Sequence, residues 1–334
     1  MRTVAVLNQK GGVGKTTTVA NLGAALGRMG HHVLVVDLDP QSHLTLHLGL
    51  DASSDGPSVN HVLLDGMSSA DAIVGAGENL SAMRSNIDLA AAELELVSVV
   101  GREVILRDAL EKINTRFDFC LIDCPPSLGI LTLNALAAAH EVIIPLLPHF
   151  LALQGLGKLL ETIALVSRRI NPGLVVRGVL LCMYEGGTRL CGEVVSDLES
   201  FLEAAREANL PWSRAELFKT VIRRNVRLAE SPSHGRTIFD YEAKCHGAED
   251  YTALAREVLA EGDRHNADEE PALCKPTAAT PVLACEQADE EARSPQEPEA
   301  EDEPLKPEPR PSRTDSAAPL QDTVDALVST RPTP

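Results

Sequence analysis

At 334 residues, with 48 Asp and Glu against 30 Lys and Arg, the chain carries a net charge of −18. A protein this acidic can hold phosphate backbones only through a local basic patch, which salt isolates from the rest by confining charge effects to about 10 Å. No apolar run reaches the roughly 18 residues of a membrane helix, there is no signal-peptide layout, and seven cysteines form no C-x-x-C pair; a cytoplasmic protein without disulfide framework or zinc is expected.

Composition divides the chain near residue 261. The stretch 262–334 has 17 acidic and 7 basic residues, a net of −10, with 12 of the 21 prolines and no aromatic side chain. Such a segment cannot bury enough apolar surface to offset its chain entropy, so a disordered tail is expected, serving as a spacer or as an acidic segment that repels or mimics nucleic acid.

In chain order, Val4, Ala5, Val6 and Leu7 read as a buried strand. A glycine-rich turn and Lys15-Thr16-Thr17 opening a helix follow. Gly11, Gly12 and Gly14 free the backbone to converge its N–H groups, with that of Val13, on one anion at the helix N-terminus. Lys15 suits the β- and γ-phosphates of a nucleotide, and the Thr16 hydroxyl suits Mg²⁺. The strict P-loop pattern asks for glycine at position 9; this chain has Gln9 and a second lysine, Lys10. After a helix to Met29, His32 to Asp37 reads as a second buried strand that delivers Asp37 and Asp39 to its C-terminal end, where ligands gather in open α/β sheets. The two carboxylates could be a polar strand exit. Beside a phosphate site, one of the two can help hold the metal shell and the other can position a water for in-line attack.

Residues 51–85 read as a helical surface connection, Asn86 to Ala90 as a short strand, and Glu93 to Ile113 as helical with a break near Gly101. Phe117 to Pro126 is an apolar strand ending in Asp123, stopped by twin prolines; an acid there can hold a Mg²⁺ water shell. Cys120 reads as core, and Cys182 and Cys191 as ordinary small residues. Further strands are expected at Glu141–Leu147 and Leu174–Met183, with helices at Leu156–Arg169, Arg189–Ala208 and Gly247–Leu259. Alternating strands and helices imply an α/β fold with a doubly wound, mostly parallel sheet. Lys219, Arg223, Arg224, Arg227 and Arg236 fall within eighteen residues, either a solvated loop with internal ion pairs or a sequence-independent nucleic-acid patch.

KGGVGKT, VDLDPQ, DCPPSLGILTLNAL, GGTRL and FKTVIRRNVRLAESPSHG resemble the ParA/MinD family of P-loop ATPases with a deviant Walker A motif, over residues 1–261. The resemblance implies an ATPase using ATP and Mg²⁺ that dimerises around two nucleotides, Lys10 reaching the partner's phosphates. It implies Asp39 as the catalytic water-positioning residue beside Lys10 and Lys15. Lys10, Gly11, Gly12, Val13, Gly14, Lys15, Thr16, Thr17 and Asn225 would contact ATP, and Thr16, Asp37 and Asp123 would hold the metal. Arg189, Arg224 and Arg227 would bind DNA non-specifically, placing the protein on the nucleoid during chromosome or plasmid segregation with a ParB-type partner. The family commonly continues Gly-Asn where this chain has Ser42-His43, has threonine where it has Cys124, and has proline where it has Arg223. A ParA-like ATPase positioning another cargo shares the same site chemistry. A MinD-like membrane regulator would need a basic amphipathic C-terminal helix, and a nitrogenase-type iron protein would need cysteines arranged around a cluster.

Overall fold

Both faces of the central sheet are buried, because the short strands β1 (Arg2–Val6), β2 (Val33–Asp37) and β5 (Phe119–Asp123) are almost wholly apolar. Alternate residues go to opposite cores: Ala5, Leu34 and Val36 to one side, Val4, Val6, Val33 and Val35 to the other. In this computed structural model the described residues are 1–268, apart from 54–55, 150–151, 188 and 209; the side chains of 152–154, 189–190 and 261–268 are also outside the description. The described residues lie in one compact unit, residues 1–272; a second unit, 273–334, lies outside them, as does most of the expected tail.

Among the described residues the sheet has nine strands. Its order places β3 (Ile73–Gly77) and β4 (Leu80–Met83) outside β2, then β5, β1, β6 (Glu141–Leu146), β7 (Val175–Tyr184) and β8 (Glu216–Leu217), with β9 (Ile222–Arg223) also on β7. Every pairing is parallel except β3 with β4, as the doubly wound fold requires. Helix α1 (Lys15–Arg28) packs Val19, Leu22 and Leu26 into the second core, under the last helix, α11 (His246–Asp268), which contributes Tyr251, Leu254 and Val258. The opposite face is covered by α4 (Leu89–Glu95), α5 (Ile105–Glu111), α6 (Ile130–Ala138) and α7 (Ala152–Arg169), the helices that flank and follow β5 and β6.

Four elements depart from the sequence-based expectation. The fourth central strand is Leu80–Met83 rather than Asn86–Ala90, because Leu80 pairs with Val33 and the chain then turns, with Leu89 N–H donating to Asn86 O at 3.2 Å. Ile73–Gly77 is an antiparallel edge strand, not helix. Helix α11 runs on to Asp268, past its expected end at Leu259, and α8 (Arg189–Ala204) stops short of Ala208. The break at Gly101 is present, at φ 73°.

Candidate nucleotide and metal site

The loop from Asn8 to Gly14 is built to leave its centre open. Asn8 anchors its start, donating from Nδ2 to Pro145 O at 2.7 Å and accepting Lys10 N–H at 3.0 Å. Gly12 and Gly14 take φ of 71° and 97°, which a Cβ resists, and no atom stands within 4 Å of where a Cβ on Gly11 or Gly12 would sit. Val13 is buried, and Gly14 is the residue before α1, so the free N–H groups of the helix start face this opening. Beneath Gly14 lies Cys182, its Sγ 3.5 Å from the place a Cβ would take.

Lys15 is buried, with Nζ 3.5 Å from Lys10 O, whereas the Lys10 side chain is exposed and makes no hydrogen bond or ion pair among the described residues. Thr16 Oγ1 donates to Asp123 Oδ2 at 2.6 Å. Thr17 is half-buried at the start of α1 and accepts Asn21 Nδ2 on its carbonyl at 2.8 Å.

Register on adjacent strands sets Asp37 and Asp123 side by side. Burial, followed by the Asp37 charge, holds the Asp123 carboxyl well above the usual range. Asp37 is pushed up to about 6 by burial, against hydrogen bonds from Thr45. Its Oδ2 accepts Thr45 N–H at 2.9 Å and Thr45 Oγ1 at 2.7 Å, and Oδ1 accepts Asp39 N–H at 3.1 Å. Asp37 thus spends both oxygens shaping the loop that carries Asp39. Asp123 differs: its Oδ1 is buried with no partner. A fully buried, unsatisfied carboxylate oxygen beside a threonine hydroxyl fits a hard cation such as Mg²⁺. Among the described residues no three His, Cys, Asp or Glu gather into a cage. Asp39 is half-buried at the rim, with Oδ1 accepting Gln41 N–H at 2.9 Å and its carbonyl accepting Ser85 Oγ at 2.8 Å.

The AAA domain family matches residues 1–176. The sporulation initiation inhibitor protein Soj of Bacillus subtilis is 44% identical over 260 residues, covering 78% of this chain and 98% of that protein. The chain belongs to the ParA/Soj family of ATPases. The chromosome partitioning protein ParA of Caulobacter vibrioides is 40% identical over 268 residues, 79% of this chain and 96% of that protein. Among solved structures, cobyrinic acid a,c-diamide synthase from Mycobacterium smegmatis with bound ADP and magnesium matches at 40% identity and TM-score 0.67, over 79% of this chain and 96% of that one. The cell division ATPase MinD of Pyrococcus furiosus matches at 26% identity and TM-score 0.62, over 78% and 99%.

Against the ParA/Soj pattern, the departures acquire physical content. Ser42, where the family commonly has glycine, sits in the left-handed region at φ 55° and is buried, so the loop beyond Asp39 keeps the backbone a glycine would take freely. Arg223, where the family has proline, uses the N–H a proline lacks: it donates to Asp250 Oδ2 at 2.9 Å while its guanidinium grips the same carboxylate at 2.6 Å. Cys124 is fully buried, and burial pushes its thiol up, which leaves it inert. Cys120 and Cys182 are likewise pushed up to about 12 by burial.

Three arginines of the basic cluster, Arg223, Arg224 and Arg227, are paired with carboxylates. Arg224 is exposed and bonds Glu185 at 2.9 Å, and Arg227 bonds Glu230 at 2.8 Å. Asn225 caps α9 (Val226–Glu230), its Oδ1 accepting Arg227 N–H at 2.8 Å. Arg189 opens α8, its side chain outside the described residues. His234 stacks on Tyr241 at 4.9 Å between ring centroids. Asn8, Thr45, Ser85 and the carboxylates of Glu185, Glu230 and Asp250 escaped sequence reasoning; each acts by a contact between residues far apart in the chain or by one carboxylate among many.

Proposed function

We propose that this chain is a Mg²⁺-dependent ATPase that pairs around two ATP molecules, binds DNA without sequence preference while ATP is bound, and drives chromosome or plasmid segregation with a ParB-type partner. Partitioning relatives and the neighbour solved with ADP and magnesium support this reading. The observation that carries it is the contact of Thr16 with Asp123, whose second oxygen stands buried and free beside the open glycine loop.

The roles follow from position. Backbone N–H groups of Gly11 to Thr17 and the Lys15 ammonium bind phosphate oxygens, and Thr16 and Asp123 hold Mg²⁺. The ion, once bound, neutralises charge on the phosphates. Asp37 holds the loop of Asp39 in place, and Asp39 orients the attacking water. Lys10, exposed and unpartnered, is free to reach a second subunit's phosphates, stabilising charge as an arginine finger does. Asn225 lines the base side. Arg189, Arg224 and Arg227 meet DNA phosphates, exchanging carboxylate partners for them, and pairing doubles the contacts. Nucleoid association follows.

Sedimentation of the full chain with DNA, with and without a non-hydrolysable ATP analogue, tests the reading. Retention on random DNA that requires the analogue and fades as salt rises is expected. Equal retention without nucleotide would overturn it.

A further inference from the structure

Among the described residues three that are not glycine hold a positive φ: Ser42, Asn79 and Met183. Asparagine tolerates that conformation, and Ser42 lies in the loop that leaves Asp39, its N–H donating to Asp39 O at 2.9 Å. Met183, at φ 49°, has no such excuse. A long side chain in the left-handed region persists only where the surrounding structure imposes it. The Met183 side chain is 45% exposed, so packing around it is not what imposes this conformation.

The cause lies in the sheet. β7 pairs with β9 through Cys182 opposite Ile222 and Tyr184 opposite Arg223, and the register shifts between them. Two steps on β7 thus match one on β9, which makes Met183 the extra residue of a bulge. Bulges of this kind bend a strand and re-aim the side chains beyond it.

Met183 separates contacts that belong to different parts of the molecule. On its N-terminal side, Cys182 lies under the glycine loop, with Cβ and Sγ both 3.5 Å from the place a Cβ on Gly14 would take. Gly14 O accepts Thr18 N–H at 2.8 Å, so this floor carries the first turn of α1. On its C-terminal side, Tyr184 O accepts Arg224 N–H at 3.3 Å, and Glu185 Oε1 accepts Arg224 Nη1 at 2.9 Å. The Arg224 and Glu185 side chains are 72% and 56% exposed, and an ion pair so placed is weak enough to be exchanged for a phosphate. A single strained residue therefore stands between the floor of the phosphate loop and an arginine of the basic cluster.

We propose that Met183 is a positioning residue that links the two. Its left-handed backbone keeps Glu185 on Arg224. Phosphates held by the glycine loop bear on Cys182 and let Met183 relax to the extended conformation, which swings Glu185 away and frees the guanidinium. The proposal rests on the reading that Arg224 meets DNA phosphates while ATP is bound, and it places part of the nucleotide control inside one subunit. The strain supplies the poise: relaxation is favoured at Met183 itself and opposed by the pairings on either side, so a small displacement of the loop floor shifts the balance.

The test is retention of the full chain on random DNA, with a non-hydrolysable ATP analogue and with ADP, for wild type, Met183→Gly and Met183→Val, each also in a Glu185→Gln background. Glycine takes a positive φ freely and valine resists it, so the two replacements push residue 183 in opposite directions. Urea melts and ADP affinity check that each variant is folded. Met183→Gly is expected to lower retention with the analogue about threefold, and Met183→Val to raise retention with ADP by about as much. Both effects are expected to vanish with Glu185→Gln, because the link acts through that carboxylate. Unchanged retention in both variants, or effects that survive intact in the Glu185→Gln background, would overturn the link and leave ATP-dependent DNA binding standing. Wild type retained equally with ADP and with the analogue would overturn both.

Discussion

Thr16 Oγ1 and Asp123 Oδ2, 107 positions apart in the chain, meet at 2.6 Å, and the other oxygen of Asp123 faces no partner at all. The contact exists because β1 pairs with β5 so that Val6 and Asp123 are in register, and the glycine loop then carries the chain from Val6 back to Thr16 at the same sheet end.

Replacing Asp123 by Asn should separate two effects. Hydrolysis should fall by about a hundredfold or more, and the advantage of Mg²⁺ for ATP binding should vanish, because the hard oxygen is gone. The ligand-free protein should gain stability at pH 8, since a buried carboxylate beside Asp37 no longer has to ionise. Titration calorimetry with and without Mg²⁺, and thermal melts, read the two separately. Equal Mg²⁺ dependence in both proteins would remove Asp123 from the ion.

Lys10→Ala should bind ATP with nearly wild-type affinity and yet stay single in sedimentation with the analogue. Its side chain is exposed and makes no hydrogen bond or ion pair among the described residues, so its loss costs the fold little. Persisting dimers would contradict the role given to it.

Glu185→Gln should strengthen DNA retention, because Arg224 exchanges an ion pair at 2.9 Å for a neutral neighbour and no longer has to release a carboxylate. Arg224→Glu should weaken retention at all sequences alike and lower the salt slope by about 1. Filter binding across a salt series distinguishes these from a fold defect, which would abolish the slope rather than shift it.

His47 predicts acid sensitivity. It is buried with Nε2 unpartnered, and burial lowers it from 6.5 to about 4. A depressed folded pKa gives stability that is full above pH 6.5 and lost as pH falls toward 4, by about 3 kcal/mol. Asp37, raised from 3.8 to about 6, has the opposite sign: its contribution is full below pH 3.8 and lost as pH rises through 6. His47→Leu should therefore hold its stability over wild type increasingly between pH 6.5 and 4, Asp37 being common to both. Urea melts at both ends of that window decide it, and parallel curves would rule the histidine out.

What local chemistry determines could be read from the chain. Apolar runs too short for helices gave β1, β2 and β5. Glycines needed at positive φ marked the loop before α1, and acids at strand ends marked Asp37 and Asp123, because each signal lies within a few residues of its cause. Only tertiary structure decided the rest. Strand register chose Leu80–Met83 over Asn86–Ala90 and put Asp37 beside Asp123; which arginines are bare and which paired depended on carboxylates 3 to 39 positions away. Pairing across the sheet sums many weak contacts from distant segments, and no single stretch of sequence contains that sum.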